Sequence, residues 1–432
     1  MNYNTFLSMF GLDSNNFKPI SADPFYSEDD NSLTFIVEQR DDVGRICPHC
    51  NSSNVIIKDH DDVVQNITTN SNQKIELLIH KVRFKCKECK RTFTPALKNI
   101  SSHSNISNHV KKLILLDTAY PISFSYIAKK YDVSVGTVIS LFDEYNVNVS
   151  RLELPRILCI DEFHFSKIYD QNYCCVITDL ENKTIVDIIK NRKGAYLDEY
   201  FSSISEEERE KVEYFISDMY DEYRTIRKKF FKNAIHIIDR FHIVTQLTVA
   251  INKRRNKVIK ELNKKNEHPI LANFMKVNWE LFEQRRTKIP NKTYTNKKTG
   301  MTYSYEYLLL ESLKIDHDLN LAYEVLQDIL IKSYTISDNE LESFFIRLSE
   351  KLSNAFDDDI KKVGRTIKKW IKEIMNAYTT LAIKEKYTNA IAENMNNHIK
   401  TLIKISYGLK DFERMRKRVL LMFKNKKKKK DF

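Results

Sequence analysis

Two Cys-x-x-Cys pairs, Cys47-Pro48-His49-Cys50 and Cys86-Lys87-Glu88-Cys89, constrain the fold of this chain more than any other feature. The spacing lets each pair grip a tetrahedral Zn²⁺ from a tight turn, so all four thiolates are expected on one structural zinc. Between the pairs lie apolar, β-prone runs: Val55 to Lys58, Ile75 to His80 and Val82 to Phe84. Short strands with so little apolar surface need a metal staple, and 41–98 is therefore expected to be a zinc ribbon. The N-terminal segment, 1–40, precedes it, and residues 1–45 carry eight acids against three bases.

The cysteines total seven, and Met1 to Phe17 is too polar for a secretory leader. An odd number of thiols in a chain without an export signal speaks for metal ligation over disulfides, and for the cytoplasm. No apolar stretch approaches the length that spans a bilayer, so no membrane partner is expected. At 432 residues the chain exceeds what one core usually organises, which implies several domains. A net charge of +12 and a pI of about 9.1 point to a polyanionic partner, nucleic acid first. Lys85, Lys87, Lys90 and Arg91 of the ribbon are then candidate DNA contacts. The charge gathers at the C-terminal end, where 400–432 holds thirteen bases against three acids; 424–432 reads as a disordered basic tail. None of the seven glycines falls in GxxxxGK or GxGxxG, which speaks against nucleotide enzymes with phosphate-cradling loops.

Within 100–150, Ser125 to Tyr131 reads as a short helix, Asp132-Val133 as a turn, and Ser134 to Phe142 as a second helix. Ser134 can cap that helix, Ala128 is small enough for a close crossing, and Val133, Val138 and Ile139 form a shared core. This is helix-turn-helix grammar, with Ser134, Val135 and Thr137 turned toward a major groove.

After Pro155 the texture changes to strands at Arg156 to Phe165, Tyr173 to Asp179 and Thr184 to Lys190. A helix from Tyr196 to Ser203, a strand Val212 to Ser217, a helix Asp221 to Phe231 and a strand Ala234 to Ile238 follow. The order β-β-β-α-β-α-β is that of a ribonuclease-H-like fold, its last strands added in parallel through helical crossovers. From Phe241 to about Leu381 the pattern is almost wholly helical. Ile360, Val363, Ile367, Trp370, Ile371, Ile374, Met375 and Tyr378 keep one apolar face for five turns, and Ser337-Asp338-Asn339-Glu340 has capping-box spacing. The expected architecture is multidomain α+β: zinc ribbon, helix-turn-helix, then a ribonuclease-H-like α/β core over 153–249. An all-helical insertion at 250–380 interrupts that core, which resumes at 381–423.

Asp161 closes the first core strand on the face of Ile157 and Cys159, with Glu162 pointing the other way, and Asp218 lies where the fourth strand ends. Carboxylates converging from neighbouring strands can hold two Mg²⁺, which suits phosphodiester chemistry; equally, acids at strand ends serve as turn and cap residues. Asp239 and His242 form an Asp-x-x-His at the end of the fifth strand. They read either as an assisting acid and leaving-strand contact, or as a cap on the following helix.

The chain resembles the ISL-three family of insertion-sequence transposases over nearly its whole length. The resemblance rests on the zinc pairs with Arg91-Thr92-Phe93-Thr94, the helix-turn-helix, Ile160-Asp161-Glu162-Phe163, Ser217-Asp218-Met219-xxx-Tyr223 and Asp239-Arg240-Phe241-His242. His317-Asp318-Leu319-xx-Ala322-Tyr323, Asn389-xxx-Glu393-xx-Asn396-Asn397-His398 and Tyr407-Gly408-xxx-Phe412-Glu413-Arg414 complete it. It implies a DDE-type recombinase with Asp161, Asp218 and Glu393 as catalytic carboxylates holding Mg²⁺ or Mn²⁺. Its partners would be double-stranded DNA, as terminal inverted repeats and target, and a second copy of the chain in a homodimer or higher oligomer; its place would be the nucleoid. Asn397, Lys400 and Lys404 on the Glu393 helix, with Arg254 and Arg255 in the insertion, are expected DNA contacts, and Asn396 is expected on the face of Asn397 and Lys400. Where the family usually has glycine after the glutamate, this chain has Asn394. The competing reading is a non-catalytic, sequence-specific DNA-binding protein; a processing nuclease on the same fold would cut without end specificity.

Overall fold

The computed structural model describes residues 7–8, 12–21, 23–29, 31–70, 73–96, 106–145, 153–165, 173–296, 299–385, 387–388, 390–406 and 409–428, without the side chains of 66–70 and 424–428. Asn389, Tyr407, Gly408 and the end of the basic tail lie outside these described residues. The chain divides into two units, Met1–Val149 with Ile399–Phe432, and Ser150–His398.

The first unit holds a sheet of β1 (Phe17–Pro19), β2 (Phe25–Ser27), β3 (Ser32–Gln39), β4 (Val55–Asn70), β5 (Gln73–Cys86) and β6 (Thr92–Phe93). Its spine is β5, which pairs with β3 in parallel and with β4 antiparallel. Alternation turns Leu77 and Ile79 of β5 onto Phe17, Val37, Leu7 and Leu12. The short strands expected between the cysteine pairs are thus one long hairpin, and residues 17–39, read as a separate segment, belong to the same sheet. The run Lys58 to Asp62 carries no apolar period; pairing with β5 makes it a strand, which local propensity cannot announce.

Three helices follow, α1 (Asn108–Asp117), α2 (Phe124–Tyr131) and α3 (Val135–Glu144). Ser107, Ser123 and Ser134 cap them, each accepting a hydrogen bond from an amide of the first turn. Between α2 and α3 the chain turns through Asp132 at φ 50°, a left-handed conformation that Asp tolerates. Ala128 and Val138 are buried as expected, whereas Val133 and Ile139 are only half-buried. The centre of the trio is the ring pair Phe124 and Phe142, 5.4 Å apart.

In the second unit, β7 (Ile157–His164), β8 (Tyr173–Asp179) and β9 (Thr184–Ile189) form an antiparallel meander. Then come α4 (Gly194–Ser202), the short α5 (Glu206–Glu210), β10 (Tyr214–Ser217), α6 (Asp221–Phe230) and β11 (Ile235–Ile238). Both β10 and β11 run parallel to β7, in the order β11-β10-β7-β8-β9. The strands are apolar on both faces because both are covered. Leu158, Ile160 and Phe215 pack on α4 and α6, and Ile157, Cys159 and Ile216 on the helices downstream.

Those are α7 (Arg240–Lys265), α8 (Pro269–Val277), α9 (Tyr305–Lys314), α10 (His317–Leu330), α11 (Leu341–Ser353), α12 (Asp358–Lys369), α13 (Ile371–Tyr378) and α14 (Thr380–Lys384). The segment is not wholly helical: β12 (Thr293–Thr295) and β13 (Thr302–Ser304) form a hairpin where threonines and Gly300, at φ 71°, favour strand and turn. The five-turn apolar face is also broken, at Trp370, whose backbone (φ −109°, ψ 19°) ends α12 as its ring goes under the Arg224 guanidinium, 3.7 Å away. Ser337 and Glu340 do bond through their side chains, although the turn they close is 3₁₀. At Gly364 a Cβ would lie 2.7 Å from the Ser353 amide nitrogen, so only glycine lets α12 press on α11 there.

Last come α15 (Ala390–Ile405), which begins in the second unit and ends in the first, and α16 (Phe412–Lys428). Buried Val419, Leu420, Met422 and Phe423 anchor α16, and helix propagation carries it through Lys428, into the stretch expected to be disordered. Arg418 of α16 is fully buried and donates to the carbonyls of Thr118, Tyr120 and Ile122 and to Ser406 Oγ. Arg414 holds Asp143 of α3 through two bonds of 2.9 and 2.7 Å.

Candidate active site

The β4–β5 register sets Val55 opposite Cys86, which brings the loop before β4 against the loop after β5. Each cysteine pair is followed by a residue with positive φ, Asn51 at 57° and Lys90 at 62°, so the two knuckles share one turn geometry. All four sulfurs lie within 4.8 Å of one another, with Cys47 to Cys89 and Cys50 to Cys86 both 3.6 Å. Ligands about 2.3 Å from a tetrahedral zinc would sit about 3.8 Å apart, so the cluster fits a structural zinc. Val55, Val82, Phe84 and Phe93 shield it.

A second constellation forms at one end of the parallel strands. Cys159 of β7 pairs with Ile216 of β10, and Ser217 of β10 with Ile238 of β11. Asp161 and Asp218 each lie two residues past the first pair; Asp218 and Asp239 each lie one past the second. Three acids therefore stand in a row: Asp218 and Asp239 just past the ends of β10 and β11, and Asp161 just past the β7–β10 pairing but inside β7, which runs on to His164 instead of closing at Asp161 as expected. Among the described residues they do not draw together as tightly as the four thiols do.

Asp161 accepts from the Glu162 amide at 2.8 Å and from Asn396 Nδ2 at 2.7 Å. Asn396 also donates to the Glu162 carbonyl at 3.2 Å, which fixes α15 against β7. It is 3% exposed and thus leaves the face of Asn397 and Lys400; Glu393, Asn397, Lys400 and Lys404 form the exposed stripe of α15. Burial raises the Asp161 carboxyl above its ordinary value, with the charges of Glu393 and Glu162 adding and His242 opposing. Burial likewise pushes Asp218 up to about 6, with Glu162 and Asp161 adding and His242 and Arg192 opposing. Asp218 Oδ1 is buried without a hydrogen-bond partner. An orphaned carboxylate oxygen beside further acids is what a divalent cation would satisfy, so the donor set fits one.

Three neighbours, Glu162, Ser217 and His236, were not legible as site residues. Glu162, expected to point away, reaches Arg192 at 2.7 Å and Tyr223 OH at 2.8 Å, yet exerts the largest charge effect on Asp218. Behind Asp218, Ser217 Oγ donates to the Asp218 carbonyl and lies 2.9 Å from His236 Nε2. Burial and the charges of Arg227 and Arg224 hold His236 neutral, with its pKa near 3. Asp239 is 3% exposed and caps α7 through the Phe241 amide, while His242, one turn on, is near enough to act on both Asp161 and Asp218.

The remaining expected contacts divide. Ser134 and Val135 are exposed at the start of α3, and Thr137 is half-buried with its hydroxyl 2.9 Å from Ser134 Oγ. Arg254 and Arg255 turn inward instead. Arg255 is 6% exposed and donates to Asn252 and the Met275 carbonyl; Arg254 grips Asp316. Positions 254 and 255 face α8 and α10, so these guanidinia tie the helices together rather than meet a partner.

Among the described residues no helix is long and apolar enough to cross a membrane. A curated protein of Lactococcus lactis subsp. lactis named ATP-dependent protease is 27% identical over 113 residues, covering 26% of this chain and 33% of that one. The match thus spans about a third of that relative's length, and this chain has no GxxxxGK phosphate loop. A transposase family model, the DDE type of the ISL-three group, matches residues 158–419. That span opens in β7 and closes in α16, taking in the row of acids, the helices and the whole of α15. It covers well over half of the chain, which therefore belongs to the ISL-three family of DDE transposases.

Proposed function

We propose that the protein binds the terminal inverted repeats of its insertion sequence and cleaves and joins DNA there, with Asp161, Asp218 and Glu393 as the catalytic carboxylates. The observation that carries this reading is the row of Asp161 and Asp218 on neighbouring parallel strands, with Asn396, one turn beyond Glu393, bonded to Asp161. The strand order β9-β8-β7-β10-β11 supports a ribonuclease-H-like core. The three carboxylates would hold Mg²⁺ or Mn²⁺, which when bound activates the attacking oxygen and steadies the leaving one. Asn396 orients Asp161, and the Ser217–His236 pair holds the backbone of Asp218. His242 is suited to assist through its proton, and Asp239 by fixing the start of α7.

Recognition falls to the first unit. The capped pair α2 and α3, joined by a left-handed Asp132, supports a helix-turn-helix that offers Ser134, Val135 and Thr137 to a major groove. The zinc ribbon adds Lys85, Lys87, Lys90 and Arg91; Asn397, Lys400 and Lys404 are suited to phosphates. Two DNA ends must be paired, which calls for a homodimer or higher oligomer, acting in the cytoplasm at the nucleoid.

The test is cleavage and strand transfer on a labelled duplex carrying the element's terminal repeat, in Mg²⁺ and in EDTA, with Glu393→Gln as the comparison. Cutting at the repeat boundary is expected to need both metal and Glu393, the variant losing at least about 10³-fold in rate. Tight repeat binding with no cutting in either metal would instead favour a non-catalytic DNA-binding protein.

A further inference from the structure

Beside Asp218 opens a groove of about 420 Å³ between α7 and α12, with Met219 and Asp221 at one end and Lys253 and Asp359 along it. Its lining holds three lysines, Lys253, Lys362 and Lys369, against two acids, Asp221 and Asp359. On α12, Lys362, Thr366 and Lys369 recur every turn on the groove side, the spacing that lines one helical face. Two of the lining cations are held in place by acids, Lys253 by Asp359 at 2.7 Å and Lys369 by Asp221 at 2.6 Å. Lys362 is exposed and makes no ion pair among the described residues.

At the far end, just before α12, Phe356 is 81% exposed, the most exposed large apolar residue of those described. Its backbone is held firmly: the amides of Phe356 and Asp357 both donate to buried Asp318, at 2.9 and 2.6 Å. A ring held into solvent by an anchored backbone is the arrangement that stacks on a flat partner at little entropic cost. Helix α12, of 12 residues, spans roughly 18 Å, so groove and ring reach about that far from the Asp218 end.

We infer that this groove binds the sugar-phosphate backbone of the DNA flanking the cleaved bond, with Lys253, Lys362 and Lys369 meeting successive phosphates and Phe356 stacking on a base at the far end. The inference rests on the transposase reading and adds a strand path that the carboxylates alone do not define. The row of three lysines, with Lys362 outside any ion pair among the described residues, favours a polyanion, and continuity with Met219 sets the bound strand beside Asp218. Asp221 and Asp359, the two acids of the lining, pre-position lysines that phosphates can share.

The experiment uses the full chain and a fluorescein-labelled 40-base-pair duplex of arbitrary sequence, with affinity read by anisotropy across a salt series. Lys253→Gln/Lys362→Gln/Lys369→Gln should weaken binding at least about tenfold and lower the slope of log affinity against log salt by about 2 to 3. Lys183→Gln/Lys232→Gln/Lys276→Gln, on exposed lysines elsewhere in the unit, should leave both near the unmodified values. Lys362→Glu breaks no ion pair and keeps the test open if the triple variant folds poorly; it should cut affinity at least about threefold. Phe356→Ala should weaken binding to a duplex with an unpaired overhang while leaving the salt slope unchanged. Equal losses in the two triple variants, or full binding by Lys362→Glu with an intact melt, would overturn the groove. Neither result touches the carboxylate assignment, which is read separately as loss of cutting by Glu393→Gln with binding retained.

Discussion

Asp218 is held where its charge is costly. Burial, with Glu162 and Asp161 behind it, raises its pKa from the ordinary 3.8 to about 6. A raised carboxyl favours the protonated folded state, so its contribution to stability is complete below about 4 and lost as pH rises through 6. Without metal the second unit should therefore lose up to about 3 kcal/mol between pH 4 and 7 from this group. Asp218→Asn should melt several degrees higher than the unmodified chain at pH 7.5 in EDTA, and the gap should close at pH 4. Adding Mg²⁺ should stabilise the unmodified chain and leave Asp218→Asn unmoved. Calorimetry in the two buffers decides it: a gap independent of pH would mean that the orphaned Oδ1 carries no such charge burden. The role of Glu162 at this scale was hidden because strand alternation assigns it to the opposite face. That rule fixes Cβ directions only, and says nothing of a charge acting past the strand end.

At the scale of elements, the β4–β5 hairpin depends on what closes its open end. The four thiols tie the loop before β4 to the loop after β5, so a zinc there clamps Phe84 against Phe93, whose rings are 5.8 Å apart. The chain is expected to purify with about one zinc, and Cys86→Ser to lose it. Amide exchange in β6 and the adjoining end of β5 should then accelerate by at least an order of magnitude while β3 stays protected. Metal content by mass spectrometry with residue-level exchange checks this, and unchanged protection in the metal-free variant would assign the clamp to Val55, Val82 and Phe84 alone. Elements with strong periodic signals were readable in advance, among them β7 to β11 and the helices capped by Ser123 and Ser134. The hairpin's length, the join of β3 to β5 and the break at Trp370 were not. Each is decided by a partner distant in sequence, such as Arg224 for Trp370.

At the scale of the whole molecule, the first unit is discontinuous. Residues up to Val149 need α16, because Arg418 supplies the donors for three carbonyls of the α1–α2 connection and Arg414 secures α3. A 1–149 fragment should thus melt without cooperativity in its three helices, and a synthetic 399–432 peptide should restore a sharp transition. If the fragment alone melts as cooperatively as with the peptide, the buried arginine is dispensable. The sequence announced the basic character of α16 but not this burial, since an arginine in a run of arginines and lysines reads as surface.

The buried arginine also sets a schedule for synthesis. Arg418 leaves the ribosome 269 residues after Val149. At ordinary elongation of about 5 to 20 residues per second, the N-terminal helices wait roughly 13 to 54 s for their last partner. During that interval the carbonyls of Thr118, Tyr120 and Ile122 lack their guanidinium. A nascent chain would finish its first unit only after the whole of the second has been made, which links completion of the one to synthesis of the other.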